Sequence, residues 1–464
     1  MAERPHILIL MTDQQRGDCL SCAGHPVVGT PNMDRIAAEG VRFANATTTC
    51  PVCMPARSTV LSGLYCHNHG QWGNYGHLPQ DVDTYLRHVK RVGYHTCQVG
   101  KSHLYSHEAG EHLRQHEPFM HALGFDDVLE TTGPWATTKT DSIMTDHWRE
   151  IGCLETFRDD YEKRRQAGSP NATWPSPMPP GETLDDFIGR TAVEYVRGYE
   201  RDEPLLLFVG FGGPHEPWDP PATWADRYDP SQMPPAEPAC EPGPWVPDTA
   251  AEAQRAWQSQ FAMTPEQVGL VRARYYAKIS HIDDWFGRIL TAFKERDWLE
   301  NTAIIFWSDH GEMLGDKNRL FKSIFYEQAV RVPLIVRRPA EPHAGSVAEG
   351  LADLADVFPT VLDLAGCEPK ENAFGSSLVP VCGEPSLRVH DAVFSEIGTT
   401  SMIRDVQYKM VLDREGNVLM LHDLAADPGE HENLAGKPDL AEVETRLRDR
   451  LLRWHLATAT DQRA

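Results

Sequence analysis

The chain has 464 residues, 41% hydrophobic and 24% charged, which suits one large soluble domain plus a smaller one with ample capacity for a core. Its formal net charge of −23 sets the surface as a whole against nucleic acid and anionic membranes, so an anionic ligand has to be drawn in by a local positive pocket. No apolar stretch reaches membrane-spanning length, and the run Ile7–Met11 is too short for a signal-peptide core; both point to a cytoplasmic protein, in which the ten cysteines are expected as reduced thiols.

In chain order, His6–Met11 is an apolar, β-branched run that predicts a buried strand ending at Thr12-Asp13-Gln14. Thr30-Pro31 opens a helix that Gly40 closes, and Val41–Ala44 leads into the stretch Cys50–Gly63. There Pro55 fits the first turn of a helix and Gly63 its end, which places Cys53 at a helix N-terminus, where free N–H groups favour negative charge. Arg57, one turn on, adds a fixed positive charge on the same face. Asp81–Val92 reads as a helix and Tyr94–Val99 as a strand followed at once by Gly100-Lys101-Ser102-His103. From Glu108 to Arg190 the pattern is irregular and is expected to give surface loops and short helices walling a pocket. Leu205–Val209 is a buried strand leading to His215-Glu216-Pro217, and the Pro-rich stretch Pro220–Pro247 reads as an extended cover. A long helix starts at Thr264-Pro265-Glu266, Ala303–Trp307 is a strand before Ser308-Asp309-His310, and Leu334–Val336 is one more.

The remainder changes character. Short strands at Ala392–Glu396, Tyr408–Leu412 and Val418–His422 precede an amphipathic helix at Leu440–His455. The expected architecture is α/β: a large, doubly wound, mostly parallel mixed sheet flanked by helices over residues 1–385, with a smaller C-terminal α+β subdomain, an antiparallel sheet plus helix, over 386–464.

Asp13, Lys101, His103, His215, Asp309 and His310 each follow a strand of the buried, parallel type, and in such sheets ligands bind outside the carboxyl ends of the strands. Asp13 and Asp309 are hard oxygen donors, Gln14 offers a carbonyl oxygen and His310 a nitrogen. Arg57, Lys101 and Lys322 could hold a tetrahedral anion, while His103 and His215 could move protons. The constellation suits metal-assisted attack on an anionic ester. The pairs Cys19-x-x-Cys22 and Cys50-x-x-Cys53 have zinc-knuckle spacing, but the second runs into a helix, which favours structural thiols at Cys19, Cys22 and Cys50.

Cys53-x-Pro55-x-Arg57, followed by Leu61-Ser62-Gly63, resembles the signature of the type I sulfatases of the alkaline phosphatase superfamily. Other stretches match in order: Thr12-Asp13-Gln14, Gly100-Lys101-Ser102-His103, His215-x-Pro217, Ser308 to Asp316, Lys322 before Tyr326-Glu327, and His422-Asp423-Leu424 with Asp427-Pro428. The resemblance implies that Cys53 is oxidised by a formylglycine-generating enzyme to formylglycine, whose hydrate attacks the sulfur of a small organic sulfate ester. It further implies metal ligation by Asp13, Gln14, position 53, Asp309 and His310, and sulfate contacts from Asn74, Lys101, His215 and Lys322. Where many family members carry a second Asp this chain has Gln14, and where several carry Asn it has His310; calcium stays the expected cation, with manganese or magnesium behind it. Two other readings stand beside a sulfuric ester hydrolase: a phosphonate or phosphate monoester hydrolase of the same superfamily, and a silent binding protein with unmodified Cys53.

Overall fold

A computed structural model describes residues 4–241, 261, 263–370 and 373–459. Its larger sheet is built from β1 (His6–Asp13), β2 (Val41–Thr47), β3 (His95–Gly100), β4 (Asp127–Glu130), β5 (Leu205–Pro214), β6 (Thr302–Ser308), β7 (Leu334–Arg337) and β8 (Ser346–Asp353), in the spatial order β4-β3-β5-β1-β6-β7-β2-β8. Only β7 runs against its neighbours; the other pairings are parallel. This is the mixed, mostly parallel sheet expected from the unbroken apolar runs, which are buried on both faces. Along β1 the alternation is visible: Ile7, Ile9 and Met11 join the core on one face, Leu8 and Leu10 the core on the other.

The second core is closed by two packed helices. The Pro265–Glu295 helix starts with Thr264 and Gln267 in a capping box and buries Ile282, Trp285, Phe286, Ile289 and Phe293. Against it lies Leu184–Gly198, whose N-cap Thr183 pairs with Asp186 in the same manner. Leu154–Ala167, the edge strand β4 and the start of Leu184–Gly198 fall within the stretch Glu108 to Arg190, read as loops and short helices. The reading misjudged it because the apolar residues that Leu154–Ala167 buries form only a narrow stripe, Leu154, Phe157 and Tyr161, and the other buried positions are the charged Asp160 and Arg164. The helix expected over Asp81–Val92 starts later, at Tyr85, where Thr84 caps it through Arg87 N–H.

A second, four-stranded antiparallel sheet follows: β9 (Val393–Ile397), β10 (Thr400–Arg404), β11 (Tyr408–Leu412) and β12 (Val418–Asp423), with the helix Ala441–Thr458 packed on it through Leu447, Leu451 and Trp454. β8 and β10 carried no strand expectation. The Pro-rich cover contains short helical turns at Ala222–Ala225 and Pro230–Gln232, and its part from 242 to 247 lies outside the described residues. No described helix is long and apolar enough to cross a membrane, and no disulfide joins any of the ten cysteines.

Candidate active site

Four adjacent strands, β3, β5, β1 and β6, deliver their carboxyl ends to one place. β1 ends in Asp13 and β6 in Ser308, directly before Asp309 and His310. β3 ends at Gly100, where φ is +89° and a Cβ would sit 2.2 Å from the carbonyl oxygen of Gly210, so glycine is required for β3 to pass β5 and release Lys101. The loop after β5 carries His215 and is pinned from outside. Asp185 accepts from the N–H groups of Gly212 and Gly213 (2.9 and 3.0 Å), and Lys278 Nζ donates to the carbonyls of His215 and Pro217 (both 3.1 Å).

Cys53 is the first residue of the helix Cys53–Ser62, every residue of which is buried. Gly63 ends it in the left-handed conformation (φ 71°), as its position predicted. No side chain caps it from the N-cap Val52. Instead Asn74 Oδ1 accepts from Met54 N–H (3.0 Å), which places Asn74, expected as a sulfate contact, at the helix N-terminus.

Asp13, Cys53, Asp309 and His310 each place a ligand atom within 4.8 Å of the others. Cys53 Sγ lies 3.1 Å from His310 Nε2 and 3.8 Å from Asp13 Oδ1. His310 Nδ1 lies 3.0 Å from the carbonyl oxygen of Gly311 and donates to it, which fixes Nε2 as the nitrogen facing the group. Arg57 spans both carboxylates: Nη2 donates to Asp13 Oδ2 (2.8 Å) and Nε to Asp309 Oδ2 (2.9 Å). Its Nη1 donates to the carbonyl of Lys101 (2.8 Å), and Lys101 Nζ donates to Asp13 Oδ2. The other oxygen of Asp309 accepts from the backbone of Gln14 (2.9 Å) and His310 (3.0 Å). The second oxygen of Asp13 faces only the sulfur.

The electrostatics follow. Burial opposes the charge on Asp13, but Lys101 and Arg57 outweigh it and hold the carboxyl well below its ordinary range. Burial and Asp13 push the Cys53 thiol up, yet Lys322, His310 and Lys101 bring it down to about 5. His310 is disfavoured as a cation by burial, but Asp309 and the sulfur raise it to about 9. A positive charge is therefore favoured at the imidazole position. Two carboxylates, an oriented imidazole and the group at position 53 form a donor set that fits a divalent cation.

Gln14 does not turn its carboxamide to that donor set. Its oxygen accepts from Lys322 Nζ, and its nitrogen donates to Glu216 Oε2 (2.9 Å) and to Glu312. Gln14, expected among the metal donors, here bridges Lys322 to the two glutamates. Lys322 Nζ also lies 2.7 Å from His215 Nε2. The ammonium can only donate, so Nε2 accepts and Nδ1 donates to the carbonyl of Glu216 (2.6 Å). Side chains of Lys322 and His215 are each 12% exposed while Cys53 is 1% exposed, and Asn74 is exposed. Glu216 and Glu312 were missed by sequence reasoning, although both fall inside matched stretches.

His103 lies beside this centre with φ +55°, in the left-handed region, as is Gln14 at +72°. Its ring stacks on His107 at 5.0 Å, and burial followed by Lys101 pushes its pKa well down, so it stands neutral with Nδ1 unpartnered. Glu130 supports the same loop by accepting from Ser102 and from Tyr105 Oη (2.6 Å).

A doubly wound sheet that gathers two carboxylates, a histidine and a cysteine around one point, ringed by Arg57, Lys101 and Lys322, suits a hydrolase of anionic esters. The Sulfatase family model matches residues 5–367, and the chain belongs to the sulfatase family; it is a sulfuric ester hydrolase on the alkaline phosphatase superfamily fold. A second model, the C-terminal region of N-sulphoglucosamine sulphohydrolase, matches residues 315–456. The arylsulfatase of Clostridium perfringens is 29% identical over 97% of this chain and 94% of its own. The choline-sulfatase of Rhizobium meliloti is 30% identical over 94% of this chain and 83% of its own. Among solved structures, the phosphonate monoester hydrolase of Agrobacterium radiobacter superposes with a TM-score of 0.76 at 27% identity, covering 98% of this chain and 96% of that one.

Proposed function

We propose that the protein releases inorganic sulfate from a small organic sulfate ester in the cytoplasm, with formylglycine made from Cys53 by a formylglycine-generating enzyme. A divalent cation, calcium first and manganese or magnesium next, is held by Asp13, Asp309, His310 and the group at position 53. The observation that carries this reading is the convergence of those four residues within 4.8 Å, ringed by Arg57, Lys101 and Lys322. When bound, the cation supplies Lewis acidity, and the oxidised side chain supplies an oxygen nucleophile that a thiol cannot replace without leaving a stable sulfur-linked product.

The chain's own residues divide the remaining work. Arg57 and Lys101 hold the two carboxylates in place and offset their charge, so an anionic ester can approach buried acidic ligands. Lys322 and His215 form a hydrogen-bonded pair in which Lys322 can give a proton to the departing alcohol oxygen, while His215 Nε2, accepting from Lys322, positions the ammonium beside that oxygen. Neutral His103, with Nδ1 free to accept, suits the role of base in regenerating the nucleophile. Asn74 spends its oxygen on Met54 N–H and keeps its NH2 for the ester's anionic oxygens.

Hydrolysis of a phosphonate or phosphate monoester is the second reading, favoured by the likeness to the phosphonate monoester hydrolase over nearly the full length of both chains. Gly100-Lys101-x-His103 supports sulfate. Parallel assays with an aryl sulfate and an aryl phosphonate separate the two: faster turnover of the phosphonate would overturn the sulfate assignment. Intact mass tests Cys53 conversion, and an unconverted, inactive chain from a host containing the maturation enzyme would leave a binding protein. Stripping metal with a chelator should abolish turnover, and recovery by calcium, manganese or magnesium identifies the cation.

A further inference from the structure

Among the described residues a second group of side chains has the makings of a metal site. His67, Glu396 and His455 each bring a ligand atom within 4.8 Å of the other two. They come from separate parts of the chain. His67 lies in the short turn Cys66–His69 that follows the nucleophile helix, Glu396 on β9, and His455 near the end of the Ala441–Thr458 helix.

The hydrogen bonds around His67 leave a place for a cation. Thr458 Oγ1 donates its proton to the carbonyl of Trp454 (2.8 Å), so toward His67 Nε2, at 2.9 Å, it can only accept. Nε2 therefore carries the hydrogen, and in the neutral ring Nδ1 presents a lone pair. That lone pair faces both carboxylate oxygens of Glu396, each 2.9 Å away, and Glu396 is 1% exposed. Two acceptors turned on each other in a buried setting need a positive charge between them, either a proton or a metal ion. The Nε2–H to Thr458 bond is also the arrangement that orients a histidine ligating through its other nitrogen.

The spacing of the two rings suits a metal. A tetrahedral zinc ion with ligands about 2.0 Å away separates two ligating imidazole centroids by about 5 Å and its N and O donors by about 3.3 Å. The rings of His67 and His455 have centroids 5.3 Å apart at an angle of 55°. The His67–Glu396 contact, at 2.9 Å, needs to open by only a few tenths of an ångström. Tyr65 stacks on His67 at 6.2 Å and Trp454 meets it edge-on at 5.2 Å, giving the ring an apolar wall that fixes its direction. Ser401 Oγ lies 3.2 Å from His455 Nε2 and gives that ring a polar partner too.

We propose that His67, Glu396 and His455 bind a zinc ion that clamps β9 and the C-terminal helix to the turn following the nucleophile helix. Two nitrogens and one oxygen suit zinc better than calcium or magnesium, with a water completing the tetrahedron. The clamp is independent of the chemistry at position 53.

The test uses the full chain, stripped of metal by a chelator, with zinc chloride as the probe. Hydrogen exchange in 441–458 should slow on zinc addition in the wild type, and the protection should vanish in Glu396→Gln and His455→Asn, each of which binds one zinc equivalent fewer. Thr458→Val keeps every ligand and should weaken that equivalent by about 10–100-fold. Wild-type exchange in 441–458 that ignores zinc overturns the clamp even if the variants fail to fold, and so does an unchanged zinc count in the folded variants. Zinc taken up at the Cys53 centre alone leaves 441–458 untouched, so failure here and failure of the sulfatase mechanism are read separately.

Discussion

The loops after β1 and β6 build two ionic clusters, one fully buried and one that reaches the surface at Asp18, and they are finished differently. Farther along those loops, Arg16 donates to Asp18 (2.8 and 2.7 Å) and to Asp316 (2.7 Å). Arg272 also donates to Asp316, and further to the carbonyls of Leu314 (3.1 Å), Pro234 (3.2 Å) and Pro235 (3.1 Å). Asp316 takes one more bond, from Glu237 N–H (2.8 Å). Two arginines meet two aspartates, and both are saturated by hydrogen bonds. A few residues upstream, the Cys53 centre also sets basic side chains against two aspartates but is left open: Asp13 has an oxygen facing only a sulfur, and His103 has an unpartnered nitrogen. Buried charge alone therefore does not mark a reactive site. Unused coordinating capacity beside an accessible rim does.

The comparison breaks first at Cys53. Cys53→Ala should lower kcat by at least about 10⁴-fold, since the nucleophile goes with the sulfur. Removing one small buried atom should cost about 1 kcal/mol of stability, so circular dichroism and the melting profile should remain close to wild type. Appreciable turnover by the purified variant would show that the open cluster is not the reactive one. Asp316→Asn should give the opposite result. It leaves Arg16 and Arg272 short of a buried counter-charge, for which about 3–5 kcal/mol of stability is expected to be lost. The fraction that stays folded should keep its kcat per active site. A loss of kcat without loss of stability would place the saturated cluster in the chemistry.

Lys322→Ala sharpens the contrast within the open cluster. Lys322 is held in the charged form: burial opposes it, but Glu216 and the Cys53 sulfur raise its pKa. If it supports the departing oxygen, kcat should fall about 10²–10³-fold on an alkyl sulfate, whose alcohol leaves poorly. On an aryl sulfate with an acidic phenol the loss should be much smaller. Equal losses on both substrates would mean that Lys322 holds the ester in general rather than its leaving group.

Much of this centre was legible because parallel strands buried on both faces leave unbroken apolar runs, and the polar residues that end them fall at the carboxyl edge of the sheet. Asp13, Lys101, His215 and Asp309 were placed together on that ground, and the strand order β3-β5-β1-β6 brings them together. What escaped depended on partners distant in sequence. A glutamate in a polar loop reads as solvated until Gln14 and Lys322 close on Glu216. β4 was lost because its four residues, Asp127–Glu130, form a short edge strand with a charge at each end. β8 was lost because Ser346–Asp353 mixes Glu and Gly into a strand that β2 completes by pairing with it.

The smallest effect decides the most about the rim. Asn74→Ala removes the acceptor for Met54 N–H and should cost about 1 kcal/mol as a lost cap. Asn74→Asp restores that acceptor, and its negative charge suits a helix N-terminus. If Asn74 only caps the nucleophile helix, Asp should recover the stability and leave KM near wild type. If its NH2 also grips the ester, Asp replaces a donor with an anion facing an anion. KM should then rise about tenfold beyond the Ala variant, although the Asp protein is the more stable of the two. Opposite rankings of the two variants in melting temperature and in KM would show that one side chain serves both the helix and the substrate; matching rankings would confine Asn74 to the helix.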